Sequence, residues 1–438
     1  MRRLREYRKT LWFLMLQITP ALLLADGFSN FGTSGIGIAT QNSISTRVND
    51  VFSVYVNPAL GAEVSGVQWG VGISRSQSDF RSIDNVLRES TTYGASSNQY
   101  GSFDPNSTST WFNMGISLGA NDWGLTAMMS SPLDKVVSMN SVEPATPQYA
   151  YQSDSPDQYN LLLTVSRKFD ERFSFGVSAD LYLVYASTVD SRFPVSPDST
   201  NIQQTTVARP ALAPHVGANA QWNSHFSTSL VFRAEKRGEV KLDVNNRVAP
   251  ANIPVDFRGT QTTFFRPQTV EAGVGIRLAN HSLDLLVEHE RWSRFESPWV
   301  LVEFETPANT YTQYRYETRY KDVLNYKASY TLNIDDKNAA FFGYGFHPSF
   351  VETDLTGPVN VVDTDKHIAS VGARSALGQL TSYLEGAQIS FGYQLQILNN
   401  RRIDKANPNY IGYPGFDVGG LNHIFSLAVT SALEGKSL

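Results

Sequence analysis

The sequence predicts an all-β protein, a transmembrane antiparallel β-barrel of about 14 strands with an N-terminal plug, or hatch, segment. Three observations lead to this fold class. Residues 173–185 alternate between apolar side chains and mostly polar or small ones, and the alternation recurs through most of the chain. Short links between the predicted strands alternate with long ones. After the N-terminus no run approaches the ~20 apolar residues that a membrane-spanning helix needs.

The N-terminus has the parts of a secretory signal peptide. Residues 2–9 carry five basic side chains, an apolar run follows over 11–25, and Ala25 precedes Asp26. This pattern predicts removal of residues 1–25, and the alternative is that they are retained as a membrane anchor. Removal changes the formal net charge from −5 to −9, because five basic residues and one acidic residue are lost. An acidic mature chain does not predict nucleic-acid binding. The chain has no cysteine, so a closed hydrogen-bonded sheet would supply the stability that disulfides give many exported proteins.

The domain prediction is a signal peptide at 1–25, a plug at 26–65 and an outer-membrane barrel at 66–438. An even number of strands places both termini on the same, periplasmic side. The predicted strands are 66–80, 108–120, 122–132, 158–169, 172–188, 208–222, 225–244, 262–279, 281–305, 310–333, 337–350, 366–377, 380–398 and 416–433. Tight turns are predicted at Asn121, Asp170-Glu171, Asn223-Ser224, Asn280, Asp335-Asp336 and Gly378-Gln379, and long external loops at 81–107, 133–157, 189–207, 245–261, 351–365 and 399–415.

The alternation within each strand also predicts which side chains meet lipid and which face the lumen. Expected to face outward are Phe112, Met114, Ile116, Leu118, Val270, Ala272, Val274, Ile276 and Leu278. Expected to face the lumen are Gln388, Ser390, Gln394 and Gln396.

Residues 26–65 lack this alternation and are rich in Gly, Ser, Asn and Thr. They predict a compact irregular segment with short helical turns. Gly32, Gly35 and Gly37 are expected to supply unusual backbone angles, and Asn57-Pro58 a fixed turn. Alternatively, these residues only let the segment fold compactly. A buried Asn57 is predicted, with its amide hydrogen-bonded.

The start of the mature chain resembles the FadL-type family of outer-membrane transporters for long-chain fatty acids and other hydrophobic compounds. The resemblance is carried by Gly27-Phe28, by Ser34 to Ala39 and by Asn57-Pro58-Ala59-Leu60 before the first strand. Phe232 to Val240 and Trp292 to Phe295 are further similar segments. The resemblance implies a hatch that plugs the barrel from the periplasmic side. Its residues here would be Gly27, Phe28, Gly35, Gly37, Asn57, Pro58 and Ala59.

The resemblance further implies passive uptake of hydrophobic compounds through an apolar pocket above the plug, with lateral release through the barrel wall. In the family the third strand is kinked to open the wall. The matching strand here runs from Trp123 to Pro132, and Gly124 or Pro132 could mark the defect. Alternatively, Pro132 only ends the strand. The chain departs from the family at its last strand, which has no terminal aromatic residue.

A fatty acid would need a cation in the lumen to meet its carboxylate. The predicted faces make Arg233, Arg237, Arg277 and Lys327 the candidates. The alternative for each is a structural ion pair within the barrel. Acidic residues of matching position are Glu235, Glu239, Glu271 and Glu288.

No enzyme, cofactor or metal is predicted, because the histidines at 215, 281, 289, 347 and 367 are scattered without ligand spacing. The expected partners are a hydrophobic small-molecule ligand, such as a fatty acid or hydrocarbon, and outer-membrane lipids, and a barrel of this size is expected to work as a monomer. Two other functions remain open at this stage, a general diffusion porin and a structural or adhesive surface barrel.

Overall fold

The structure, a computed structural model, describes residues 32–91, 97–133, 147–149, 160–193, 201–248, 253–295, 301–305, 311–314, 319–351, 355–357, 359–379 and 386–433. The predicted signal peptide and two of the predicted plug residues, Gly27 and Phe28, lie outside these ranges.

Fourteen strands of the described chain form a closed barrel in which each strand pairs antiparallel with both neighbours, so the predicted fold class is confirmed. Numbered along the chain, the barrel strands are β1 Gly66–Phe80, β4 Thr108–Ala120, β5 Trp123–Pro132, β7 Asn160–Lys168, β8 Phe173–Phe193, β9 Asn201–Gln221, β10 Phe226–Arg233, β13 Thr269–Leu278, β14 His281–Glu290, β17 Val323–Asn333, β18 Asn338–His347, β20 Lys366–Ala376, β21 Ala387–Asp404 and β22 Gly415–Leu433. The ring closes where β1 pairs with β22, from Val67↔Leu433 to Phe80↔Gly420.

The other strands are not part of the barrel ring. They are β2 Ile83–Glu89, β3 Gln99–Phe103, β6 Gln148–Tyr149, β11 Lys236–Val248, β12 Ile253–Arg266, β15 Leu301–Glu305, β16 Tyr311–Tyr314 and β19 Val361–Val362. Two short 3-10 helices, Trp292–Arg294 and Leu377–Gln379, also join barrel strands.

Short links lie at one end of the barrel, here called the turn end, and long links lie at the other, the loop end. Asn121 and Asp122 join β4 to β5 with φ angles of 49° and 65°, the left-handed pair that a two-residue hairpin turn requires. The short turns predicted at 170–171, 223–224, 280 and 335–336 are also confirmed. The turn at 378–379 was predicted too short, because β20 ends at Ala376 and β21 begins at Ala387.

Alternate side chains face the lumen and the outside, as the sequence predicts. On β8, Ser178 and Asp180 are buried inside the barrel, whereas Phe175 and Val177 are 40% and 44% exposed on its outer surface. The same division holds along β4, β13 and most of β21. An apolar exterior around a polar lumen is the pattern of a barrel that sits in a membrane.

Four of the predicted strands (225–244, 262–279, 281–305 and 310–333) are each divided in two at the loop end. Between β12 and β13 the break falls at Pro267 and Gln268, where proline has no N–H with which to continue a paired strand. The prediction of loops at 189–207 and 245–261 is wrong, because β8, β9, β11 and β12 extend through most of these two ranges. Their backbone groups pair with one another beyond the barrel wall, where no lipid-facing alternation marks a strand.

The hairpin β11–β12 crosses the mouth of the barrel. β10, which precedes it, pairs with β9 on one side, whereas β11 pairs in parallel with the loop-end half of β8, on the other side of β9. Buried Lys236 contacts lumen-facing Asp180, so the root of the hairpin passes over the lumen face of β9. A separate apolar core, which includes Phe80, Val86 and Val418, packs the loop end near β1 and β22.

Residues 32–64 lie inside the barrel and are called the internal segment. The segment contains α1 Gly35–Thr40, α2 Ser53–Val56 and a 3-10 helix at Pro58–Glu63. All but one of the residues in these three elements are buried. The predicted compact segment with short helical turns is therefore present. Within the described residues, no helix has the length and apolar character to cross a membrane.

Candidate functional site

Asn57 joins the internal segment to the barrel wall. Its side chain is fully buried, and its Nδ2 donates to the carbonyl oxygens of Ser45 at 2.9 Å and Ala218 at 3.2 Å. Its Oδ1 accepts from the N–H of Ala59 at 3.0 Å, which caps the 3-10 helix that begins at Pro58. The prediction of a buried, hydrogen-bonded Asn57 is confirmed.

Gly35 and Gly37 do not supply unusual backbone angles, and that expectation is wrong. Both lie within α1, whereas Gly32 has a φ of 116°. The two glycines allow close approach instead. A Cβ on Gly35 would lie 2.6 Å from the carbonyl oxygen of Ser390 on β21, and one on Gly37 would lie 2.5 Å from Thr33 Oγ1.

The 3-10 helix of the internal segment lies against β5, β7 and β8. Gly124 on β5 leaves the space for this contact, because a Cβ there would come within 3.0 Å of the Gly61 backbone and lie 2.6 Å from Ser166 Oγ. The ladder of β5 shows no register shift, whether with β4 from Trp123 to Pro132 or with β7 from Trp123 to Ser130. Gly124 therefore has an observed packing role, and a kink in this strand stays a prediction.

Charged and polar contacts attach the other side of the internal segment to β14 and β17. Arg47 donates to Asp284 Oδ2 at 3.2 Å and to Thr331 Oγ1 at 2.8 Å. Within the segment, the buried carboxylate of Asp50 accepts from Ser34 Oγ at 2.8 Å and from the Phe52 N–H at 3.0 Å. Burial raises the pKa of Asp50 above its ordinary value, although these hydrogen bonds and nearby Arg374 oppose the shift.

A chamber of about 220 Å³ lies on the loop-end side of the internal segment. The segment contributes Gln41, Asn42 and Tyr55 to its lining. Polar and charged residues of β10, β13, β14, β17 and β20 form most of the wall, and aromatic rings cover the loop-end side. Two of these rings, Trp292 and Phe350, stack with centroids 3.8 Å apart. The chamber is therefore amphipathic, with ion pairs below and aromatic rings above.

The predicted carboxylate-binding cations are all engaged by protein groups. Arg233 pairs with Glu271, and Lys327 Nζ lies 2.8 Å from Glu288 Oε2. The alternative of a structural ion pair is therefore observed for these two cations, both of which line the chamber. Arg277 donates to Gln221 Oε1 at 3.0 Å and to the Thr46 carbonyl of the internal segment at 3.2 Å.

Arg237 does not face the barrel lumen as its predicted strand position implied. It lies on the hairpin β11–β12, where its guanidinium donates to the Arg294 carbonyl at 2.9 Å and approaches Glu235 Oε1 at 3.4 Å. The physical reason is the strand break after Arg233, which ends the alternation on which the prediction depended. Of the four cations, only Arg233 and Lys327 line the chamber.

Sequence reasoning missed a buried charge cluster of Asp180, His215, Lys236 and Arg266. Asp180 pairs with Lys236, and its Oδ2 lies 3.3 Å from His215 Nε2 and 3.6 Å from Arg266 Nη1. The alternation of β8 did place Asp180 in the lumen. It gave no signal for the other partners, because the hairpin crossing that brings Lys236 and Arg266 to β8 is not visible in any local pattern.

The outer surface of β4, β5, β7, β8 and β9 carries a concave apolar groove of about 600 Å³. Leu118, Leu125, Val165 and Val177 are among its lining residues, and each is about half exposed. The 3-10 helix of the internal segment lies against the inner surface of several of the same strands. Groove and helix are therefore separated only by the thickness of the wall.

No protein-family model matches the chain. Alkane uptake protein A of Marinobacter nauticus is 20% identical over 425 residues, which cover 92% of this chain and 90% of that protein. Among solved structures, a Pseudomonas aeruginosa FadL homologue gives a TM-score of 0.61 at 14% identity, covering 94% of this chain and 99% of the other. The P. putida toluene transporter TodX gives a TM-score of 0.59 at 10% identity, covering 93% and 100%. The FadL-type resemblance seen in the sequence is confirmed at the level of the fold.

Proposed function

Because the chain has the FadL-type fold, we propose that it takes up hydrophobic compounds passively across the outer membrane. The observation that carries the proposal is the internal segment, which is buried inside the barrel below the chamber. A diffusion porin needs a continuous aqueous lumen, and the buried segment argues against one. The alkane uptake and toluene transport named for the relatives support the same class of solute.

The proposed route turns sideways through the barrel wall at β5 rather than running through the barrel to the turn end. No described residue of β5 lines the chamber, so a solute would reach this wall only after the internal segment shifts. The apolar groove outside β5 supports this route, because an emerging apolar solute would meet lipid-facing leucine and valine side chains there. Gly124 and Pro132 remain the proposed positions of an opening in β5. The 3-10 helix against Gly124 would have to shift before the wall could open.

The chamber suits the polar end of an amphiphile better than a whole chain. Its volume of about 220 Å³ is below the ~300–1,000 Å³ of typical ligand pockets, and its lower wall is charged. We propose Arg233 and Lys327 as carboxylate contacts, each exchanging its glutamate partner for the ligand. Arg277 and Arg237 are weaker candidates for a carboxylate contact. Arg277 is bound to the internal segment, and Arg237 lies outside the lumen.

The same proposal covers the export, orientation and oligomeric state of the protein. Residues 1–25 would direct export, both ends of the mature chain would lie in the periplasm with the turn end, and one barrel would be a complete transporter. Catalysis has no part in the proposal.

The test is uptake by the purified protein in lipid vesicles, with oleate and n-hexadecane as separate probes. The proposal expects faster entry of at least one probe than in protein-free vesicles and little ion conductance. Deletion of residues 32–64 should leave a barrel that conducts ions freely. Porin-like conductance of the intact protein, or no acceleration of either probe, would reject the proposal.

A further inference from the structure

The hairpin β11–β12 is tied to the barrel by charges that water does not reach. Lys236, at its root, is fully buried, and its Nζ pairs with Asp180 on β8 and donates to Asn160 Oδ1 on β7 at 2.7 Å. Buried charges are tolerated only where partners replace their hydration. The crossing point of the hairpin is therefore fixed by specific groups on two barrel strands.

Arg266 lies opposite Lys236 in the hairpin register and joins the hairpin to the internal segment. Its Nη1 donates to the Tyr55 hydroxyl at 3.3 Å, and its Nη2 lies 2.8 Å from His215 Nε2 on β9. One guanidinium thus touches the internal segment and the barrel wall at once.

A second arginine holds the same part of the internal segment. Arg233 is the last residue of β10, directly before the hairpin. Its Nη2 donates to the carbonyl oxygens of Tyr55 at 3.2 Å and Val56 at 2.6 Å. Both arginines also line the chamber, as does Tyr55. Any solute in the chamber therefore lies against the contacts that connect hairpin and segment.

We propose that the hairpin β11–β12 is a latch on the internal segment, with Arg266 as the residue that couples the two. Displacement of the hairpin by a solute in the chamber draws Arg266 away from Tyr55 and loosens α2 and the 3-10 helix that follows it. The inference rests on the proposed function in treating the internal segment as the closure of the barrel. It adds the element at the loop end that controls that closure.

The absence of natural cysteine allows a direct test. Ser43→Cys places a thiol in the internal segment at a residue that is 1% exposed, and its reaction with a membrane-impermeant maleimide reports how often the segment leaves its seat. In this background, Arg266→Gln and Tyr55→Phe should each raise the labelling rate about tenfold, since each removes the same charge-assisted hydrogen bond. Arg266→Gln also removes the contacts of Arg266 with His215 and Asp180. The double variant should therefore label no faster than Arg266→Gln alone, because the Tyr55–Arg266 hydrogen bond that Tyr55→Phe would remove is already absent.

Two matched variants control for general loosening. Arg402→Gln removes an exposed arginine paired with Asp404 and Asp417, and Tyr149→Phe removes a buried hydroxyl that bonds to Gly419 in the loop-end core. Neither contacts the internal segment, so both should label at the unmodified rate. Heat-dependent gel mobility would verify that every variant remains a folded barrel.

Oleate and n-hexadecane then test the coupling itself. At least one probe should raise the labelling of the Ser43→Cys protein, and the increase should be lost in Arg266→Gln because the latch is already open. Unchanged labelling in both single variants, or additive effects in the double variant, would overturn the latch. Faster labelling without uptake of either probe into vesicles would instead leave the latch standing and reject the transport proposal.

Discussion

Gly124 offers the sharpest single test of how the internal segment is seated. In Gly124→Ala the new Cβ would come within 3.0 Å of the Gly61 carbonyl group and lie 2.6 Å from Ser166 Oγ. The Gly61 contact involves backbone that cannot rotate away, so the 3-10 helix itself must move. Insertion of a methyl group into such a packed contact costs about 1–3 kcal/mol, which corresponds to a roughly 5- to 150-fold change in the equilibrium between seated and displaced segment.

The β5 ladder should survive this substitution, because Gly124 does not have a left-handed φ that alanine would strain. Maleimide labelling of Ser43→Cys should therefore accelerate while the barrel stays folded, and bilayer recordings should show more frequent openings. Gly357→Ala is the matched control, since a Cβ there meets no atom within 4 Å. If Gly124→Ala labels and conducts like Gly357→Ala, the 3-10 helix is not held against β5 and the seating argument fails.

Three other substitutions probe the same architecture. Asn57→Ala removes three hydrogen bonds of a buried side chain and leaves the Ala59 N–H without its acceptor. An unpaired buried group costs about 1–3 kcal/mol, so the seated segment should be destabilised by at least that much and Ser43→Cys should label faster. A rate equal to that of the parent would contradict this. Burial raises the pKa of Asp50 above 3.8 in the seated segment, so seating should be strongest below that ordinary value and weaken as pH rises through the raised pKa. Because the maleimide reacts with the thiolate, whose fraction itself rises with pH, the measurement is the labelling rate of Ser43→Cys divided by that of Ser43→Cys with Asp50→Asn. This ratio should rise with pH, and a constant ratio would contradict the prediction. Lys405→Met leaves three carbonyl oxygens, those of Leu355, Gly357 and Val359, without the buried ammonium that they bind at 2.6–2.9 Å. Proteolysis at the loop end should therefore accelerate while the temperature of barrel unfolding changes little. An equally large fall in that temperature would show that loop end and barrel unfold together.

The barrel could be predicted from sequence because lipid imposes a period of two on every wall strand. Phe175 and Val177 face outward and Asp180 faces inward for that one reason, and the same rule gave all the ring strands in order. The rule stops where the wall stops. β11 lies beyond the wall. Extending the alternation of β10 past Ala234 and Glu235 predicted that Arg237 faces the lumen, whereas the structure places Arg237 at the mouth of the barrel.

The internal segment shows a different limit. The hydrogen bonds of Asn57 were predictable because a side-chain amide that is buried in a compact segment must find partners. The unusual backbone angles predicted for Gly35 and Gly37 were wrong. Glycine is used both where the backbone is strained and where another group approaches closely, and the sequence does not tell which neighbour approaches. The neighbour of Gly35 is Ser390, more than 300 residues later in the chain, and only the closed ring brings it to α1. The neighbour of Gly37 is Thr33 of the same segment.

The charges inside the barrel show why closure and a ligand site can share residues. Charged side chains in a lumen that contains a buried segment must be paired with one another, and Arg233 is paired with Glu271. Arg233 also donates to two carbonyl oxygens of the internal segment. The proposed carboxylate would take the place of Glu271 on Arg233 and would thereby draw the guanidinium away from these two carbonyl oxygens. Ligand affinity and the stability of the closed state are then opposed in one side chain, so tight binding of an anionic head and release of the segment are expected to rise together. An uncharged hydrocarbon has no such competition to offer and would have to act on the aromatic side of the chamber, through Trp292 and Phe350.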